Sequence, residues 1–239
     1  KLDDVSEVAK PEMWIKANPN IGATVSYEAY QRDVQIAETQ PAKRNDILAK
    51  RFGIPVEGFT YFFTYEETIP HRRKSYKGML CSLGADLSQG DDFCAFTFLF
   101  PLNNGKFGVK VRAYVSDSKV RKLPSAMRNK YDEFIKEGTL VVMDNPILDM
   151  VEVFEDLIDF IDANEYDVTA FGYDPYNAEQ FVENWKQQYG DYAVVKIRQG
   201  ARTESVPMGE IKNLAETRDL VFDQELMMFA MGNAIAIQD

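Results

Sequence analysis

Three strand-like runs, residues 80–86, 92–100 and 106–115, follow one another with almost nothing between them. The connections are Ser88-Gln89-Gly90-Asp91 and Asn103-Asn104-Gly105. Asn-Gly between two apolar runs is a strong hairpin signal, because both residues accept the positive backbone angles of a tight turn. The three runs therefore predict an antiparallel meander. After it the period changes. A helix near 124–137 precedes a short strand at 139–143 and a helix over 149–163. Then come a strand at 167–173, a helix at 177–188, a strand at 192–197, a helix near 207–217 and an apolar stretch at 225–237. The helix over 149–163 is the best marked: Val151, Phe154, Leu157, Ile158 and Ile161 fall on one face and six acids on the other.

A three-strand meander followed by alternating helix and strand is an α/β order. It is the order of the ribonuclease-H-like fold, a mixed central sheet flanked by helices. In that order the first meander strand lies beside the strand at 167–173. Both end in a carboxylate: Leu83-Gly84-Ala85-Asp86 and Phe171-Gly172-Tyr173-Asp174-Pro175. The fold thus predicts that Asp86 and Asp174 meet. Residues 1–75 look different, with helices expected at 26–40 and 44–51 and a strand at 59–65. The basic run His71-Arg72-Arg73-Lys74 reads as a junction, which divides the chain into 1–75 and a domain at 76–239.

Composition narrows the chemistry. The chain of 239 residues is 45% hydrophobic, enough for a substantial core. No apolar run approaches the ~18 residues of a membrane span. Lys1-Leu2-Asp3-Asp4 is no signal peptide, and the start reads as a cut through a longer protein. The only cysteines, Cys81 and Cys94, fall in predicted strands and are expected to be reduced core residues of an intracellular protein. The one histidine, His71, lies in the basic run, which leaves Ser–His–Asp and Cys–His hydrolysis without a good base. No CxxC zinc pattern, GxxxxGK[ST] phosphate loop or GxGxxG fingerprint occurs.

The net charge of −11 is unevenly spread. His71–Lys130 holds twelve Lys/Arg against four acids, and Tyr131–Val194 holds sixteen acids against two lysines. Part of the basic segment, including Arg72, Arg73, Lys119, Arg121 and Lys122, is suited to a phosphate backbone. Carboxylates with metal are then the best catalytic tools left. Mg²⁺ takes one or two carboxylates plus water and substrate phosphate, and two ions about 3.5–4 Å apart serve phosphodiester cleavage.

Several short stretches carry a family resemblance through most of the chain: Trp14-Ile15-Lys16-Ala17-Asn18-Pro19, Leu83-Gly84-Ala85-Asp86-Leu87-Ser88 with Asp92, Tyr173-Asp174-Pro175, Gln199-Gly200 and Gly232-Asn233-Ala234. In order and spacing the chain resembles the large subunit of tailed-bacteriophage terminases, namely the C-terminal nuclease domain and the end of the ATPase region before it. The resemblance implies a metal-dependent endonuclease that cuts concatemeric viral DNA in the host cytoplasm with two Mg²⁺ or Mn²⁺ ions. It also implies double-stranded DNA, the small terminase subunit and the capsid portal as partners. Asp86 and Asp174 match the family's first two metal ligands. The third acid comes from near the C-terminal end, where Asp239 is the first choice and Asp223 and Glu225 follow. Two other readings of the residues stay open: a junction-resolving or transposase-like nuclease of the same fold, and a non-catalytic module docking through the acidic helix at 149–163.

Overall fold

This computed structural model describes residues 1–39, 41–54, 62–72, 74–87, 93–123 and 125–235. The chain divides into two compact units, Lys1–Thr60 and Tyr61–Asp239. The division falls earlier than the boundary expected after residue 75. The reason is that the segment before the sheet is bonded into the second unit: Phe62 N donates to Ala234 O, and His71 N donates to Phe222 O.

The first unit is helical. After two short 3₁₀ turns come α1 (Trp14–Ala17), α2 (Tyr27–Thr39) and α3 (Pro41–Phe52). Pro41 does more than stop a helix; it opens α3, where its missing N–H costs nothing and its fixed φ suits the first turn. Trp14 is the centre of this unit. Its ring sits among Tyr27, Tyr30 and Phe52, and its Nε1 donates to Val8 O at 2.8 Å.

The second unit begins with α4 (Tyr65–Thr68). Of the strand expected across 59–65, residues 59–61 lie outside the described residues, and Tyr65 is helical. Local chemistry explains this, because Thr64 and Glu67 form a reciprocal capping box that satisfies the first amides of a helix. The sheet follows with β1 (Leu80–Leu87), β2 (Cys94–Pro101) and β3 (Phe107–Ser116). The expected meander is present. β1 pairs antiparallel with β2, and β2 with β3. The second hairpin turns at Asn104 and Gly105, with φ of 63° and 72°. Next come α5 (Asp117–Lys122), α6 (Ser125–Glu137), β4 (Leu140–Met143), α7 (Met150–Asn164), β5 (Asp167–Tyr173) and α8 (Glu179–Tyr189). The chain continues with β6 (Val194–Lys196), α9 (Ala201–Glu216), β7 (Leu220–Val221) and α10 (Glu225–Asn233).

The strand order is β4-β3-β2-β1-β5-β6, with β7 pairing the start of β3. β4 runs parallel to β3, β5 to β1, and β6 to β5. Since β3 also runs parallel to β1, five strands end at one edge of the sheet. Two layers of helix cover it. On one face α7 and α8 bury Val153, Leu157, Phe181 and Trp185 against Leu83, Phe96, Phe98 and Phe171. On the other, α6 and α10 set Phe134 and Leu226 against Ala113, Val115 and Leu140. Each of the Val, Leu and Phe side chains among them contributes about 1.5–3 kcal/mol when fully buried. Cys81 and Cys94 are buried free thiols within the first of these layers. The mixed sheet between helices is the ribonuclease-H-like architecture that the element order predicted.

The element boundaries differ most at α9. The helix expected near 207–217 starts at Ala201 and runs through Pro207. The proline removes one backbone hydrogen bond but does not end the helix; one exposed face of α9 tolerates the loss.

Candidate active site at the carboxyl edge of the sheet

Asp86 lies in β1 opposite Ala95 of β2, directly after Ala85. Ala85 pairs with Tyr173 across the parallel β1–β5 ladder, and Asp174 follows Tyr173. The two acids therefore occupy the same step of neighbouring strands, which run about 4.8 Å apart. The register thus places the ends of β1 and β5 side by side, the strand neighbourhood that the element order predicted.

Each acid is held differently. Asp86 is exposed, on the face of β1 opposite to Cys81, Leu83 and Leu87. Asp174 is half-buried where β5 gives way to a turn. Its Oδ1 accepts the amide of Tyr176 at 3.0 Å, a local Asx bond that fixes the carboxylate direction. The chain then passes through Asn177 at φ 52° into α8.

Gly84 and Gly172 face each other in the ladder. Of the two, only Gly172 is closely approached, by the flexible end of a side chain. A Cβ there would lie 2.7 Å from Ile197 Cδ1, whereas at Gly84 it would meet nothing closer than Thr97 O at 3.9 Å. The close approach that Gly172 permits is thus by the side chain that follows β6. Ile197 N also donates to Tyr173 O at 2.8 Å, which ties that segment to the residue before Asp174.

The donor set suits a hard divalent cation. Both groups are oxygen donors at the rim, one on β1 and one just past the end of β5, where water and a phosphate can complete the coordination. Among the described residues no group of three His, Cys, Asp or Glu side chains is gathered closely enough to hold a metal alone. Asp239, Ser88, Asp91 and Asp92 lie outside the described residues. Asp223 does not join the acid pair. It sits on the β7 side, where both of its oxygens accept from Lys110 Nζ and Oδ2 also accepts the amide of Lys74. Glu225 begins α10, its amide bonded to Glu137, and lies 3.7 Å from Lys130.

The basic residues divide. Lys119, Arg121 and Lys122 belong to α5, which leaves β3 at the same edge as the acids. Arg121 pairs with Asp117, and Lys119 Nζ lies 5.8 Å from the Phe93 ring centre. Arg72 is exposed between His71 and Lys74, whose amides bond Phe222 O and Asp223 at the other end of the sheet. Arg73 lies outside the described residues. Two exposed cations that the sequence reading does not single out are Arg198, on the β6–α9 connection, and Arg202, in the first turn of α9. Their signal is present beside Gln199-Gly200, but it acquires meaning only from the register of β6.

A family model described as terminase large subunit, endonuclease domain, matches residues 1–239. The chain belongs to the terminase large subunit endonuclease-domain family. The terminase large subunit of Lactococcus phage p2 is 24% identical over 97% of this chain and 44% of its own length. That of Enterobacteria phage HK97 is 23% identical over 74% of this chain and 35% of its own length. The chain thus spans less than half the length of these curated relatives. The crystal structure of the HK97 bacteriophage large terminase aligns with a TM-score of 0.64 and 19% identity, covering all of this chain and 50% of that one. This likeness bears on the fold, and it agrees with the ribonuclease-H-like sheet. Among the described residues no helix is long and apolar enough to cross a membrane.

Proposed function

We propose that this domain is the metal-dependent DNA endonuclease of a phage packaging terminase, cutting concatemeric viral DNA in the host cytoplasm. Residues 76–239 form the nuclease, with the segment from Tyr61 packed onto it, and the first unit is the end of the motor-domain region. Double-stranded viral DNA is the substrate, and the small terminase subunit and capsid portal are partners of the full-length subunit. One observation supports the reading: Ala85 pairs in register with Tyr173, and Asp86 and Asp174 are the residues that follow them at the carboxyl edge of the sheet.

Asp86 and Asp174 are the metal ligands in this reading, and Asp239 is the third. Two Mg²⁺ or Mn²⁺ ions, when bound, supply an activated water and charge compensation at the leaving oxygen. The protein's contribution is placement. The β1–β5 ladder brings the two strand ends together, and the Tyr176 amide restrains Asp174 through Oδ1. The turn Asp174-Pro175 keeps the edge open to a phosphodiester.

Plasmid cleavage in Mn²⁺ tests this. Wild-type domain is expected to nick and linearise supercoiled DNA, while Asp86→Ala and Asp174→Ala fall to background with unchanged thermal melts. Calorimetric titration with Mn²⁺ gives a second readout, in which each variant loses heat of binding. Cutting that persists in both variants overturns the site assignment.

A further inference from the structure

Five strands end at the edge that carries Asp86 and Asp174, and the outer ones bring basic residues with them. On the β3 side α5 supplies Lys119 and Lys122. On the far side β6 pairs Lys196 with Tyr173, so Arg198 stands two residues beyond that rung. The segment between is anchored. Ile197 donates its amide to Tyr173 O and lays its side chain over Gly172, on the strand that leads into Asp174. Arg198 and Arg202 are both exposed, and none of the ion pairs among the described residues involves either. The nearest acid in sequence, Glu204, already accepts the Gly200 amide at 3.0 Å. Lys196 differs, since it lines a cavity with Glu179, Glu183 and Lys186 on the α8 side.

We propose that Arg198 and Arg202 bind the DNA backbone on the β6 side of the acid pair. With Lys119 and Lys122 opposite, the duplex crosses the carboxyl edge and its scissile phosphate is held over Asp86 and Asp174. The span supports this. From β3 to β6 is four strand steps, about 19 Å, which matches the rise of between five and six base pairs. The rest of the chain also favours this path. The neighbouring layer carries the acidic face of α7, which repels phosphate, so a polyanion finds uncompensated positive charge at the edge. Guanidinium groups suit the task because their planar fork matches phosphate geometry. Contacts of this kind position the duplex and carry no base information.

This inference rests on the nuclease reading above, and its test separates the two. Binding of a fluorescent twenty-base-pair duplex is measured by anisotropy in EDTA, across a salt series, where no cutting occurs. Arg198→Ala/Arg202→Ala is expected to weaken binding at every salt concentration and to flatten the log K against log salt slope by about 1.8, or about 0.9 for each phosphate no longer neutralised. Arg198→Lys/Arg202→Lys keeps most of the slope, and Lys196→Ala leaves it unchanged. A fold defect would not be rescued by lysine and would appear in the melt. An unchanged slope in the double alanine variant, or no binding by wild type in EDTA, overturns the proposal. Asp86→Ala is expected to bind the duplex in EDTA no more weakly than wild type; plasmid cutting in Mn²⁺ that persists in both Asp86→Ala and Asp174→Ala makes the active-site reading fail instead.

Discussion

Asp223→Ala should unfold the protein before it disarms it. Asp223 is a C-terminal acid of the kind a metal site needs, yet its surroundings are those of a structural anchor. Its side chain is 6% exposed and that of Lys110, its partner, is 14% exposed. Lys110 Nζ reaches Oδ1 at 2.6 Å and Oδ2 at 2.8 Å, and the Lys74 amide reaches Oδ2 at 2.9 Å. Removing the carboxylate strands a mostly buried ammonium and an amide. Breaking such a pair from one side costs about 3–5 kcal/mol, and the residual access of water to Lys110 places this case near about 3 kcal/mol. At about 2–4 °C per kcal/mol for a domain of this size, the melting temperature falls by about 6–12 °C. Urea denaturation and a thermal melt read both numbers. A Lys110→Met/Asp223→Leu double variant should recover most of the loss, because no charge is then left without a partner. Below its melt, Asp223→Ala should cleave plasmid at close to the wild-type rate. Full stability with cleavage abolished would refute the reasoning and return Asp223 to the metal site.

Two further outcomes follow from packing and burial. A Cβ on Gly108 would lie 2.6 Å from Tyr76 Cε1, and that ring is held by stacking on Phe100 at 4.5 Å. Gly108→Ala should cost about 1–3 kcal/mol in urea denaturation; in a Tyr76→Ala background it should be neutral or gain about 0.4–1 kcal/mol, and an equal loss in both backgrounds would defeat the steric account. Burial pushes the Cys81 and Cys94 thiols up to about 12 from an ordinary 9.0, and the Tyr76 and Tyr166 phenols up to about 12 from 10.0. The folded chain holds these protons more tightly than the unfolded one, so their contribution is complete below about pH 9 and is lost as pH rises towards about 12. A urea midpoint that stays flat across that window, or native thiols that react rapidly with a disulfide reagent near pH 8, would contradict it.

Local chemistry settled much of this protein. The Asn103-Asn104-Gly105 turn dictates the second hairpin, because its residues accept positive φ. The 3.6-residue period over 149–163 dictates α7, but the face it buries is centred on Met150, Val153, Leu157 and Ile161, and Val151, expected on that face, is exposed. The strand-end acids are visible too, since a carboxylate after an apolar run needs no long-range information to be noticed. Other features depend on partners far away in the chain. β7 has only two residues and exists because Phe107 and Gly108 offer it a ladder. Gln224 extends that ladder with its side chain, exchanging two hydrogen bonds with the Val111 backbone. Whether Asp223 or Asp174 is tied into an ion pair is likewise not written locally: one meets Lys110, and the other follows the end of β5 beside β1. The sequence by itself determined the meander, most of the helices that follow it and which acids stand at the ends of β1 and β5. Only tertiary structure decided which tips are neighbours, because parallel pairing and ion-pair burial are set by contacts between residues that local propensity never compares.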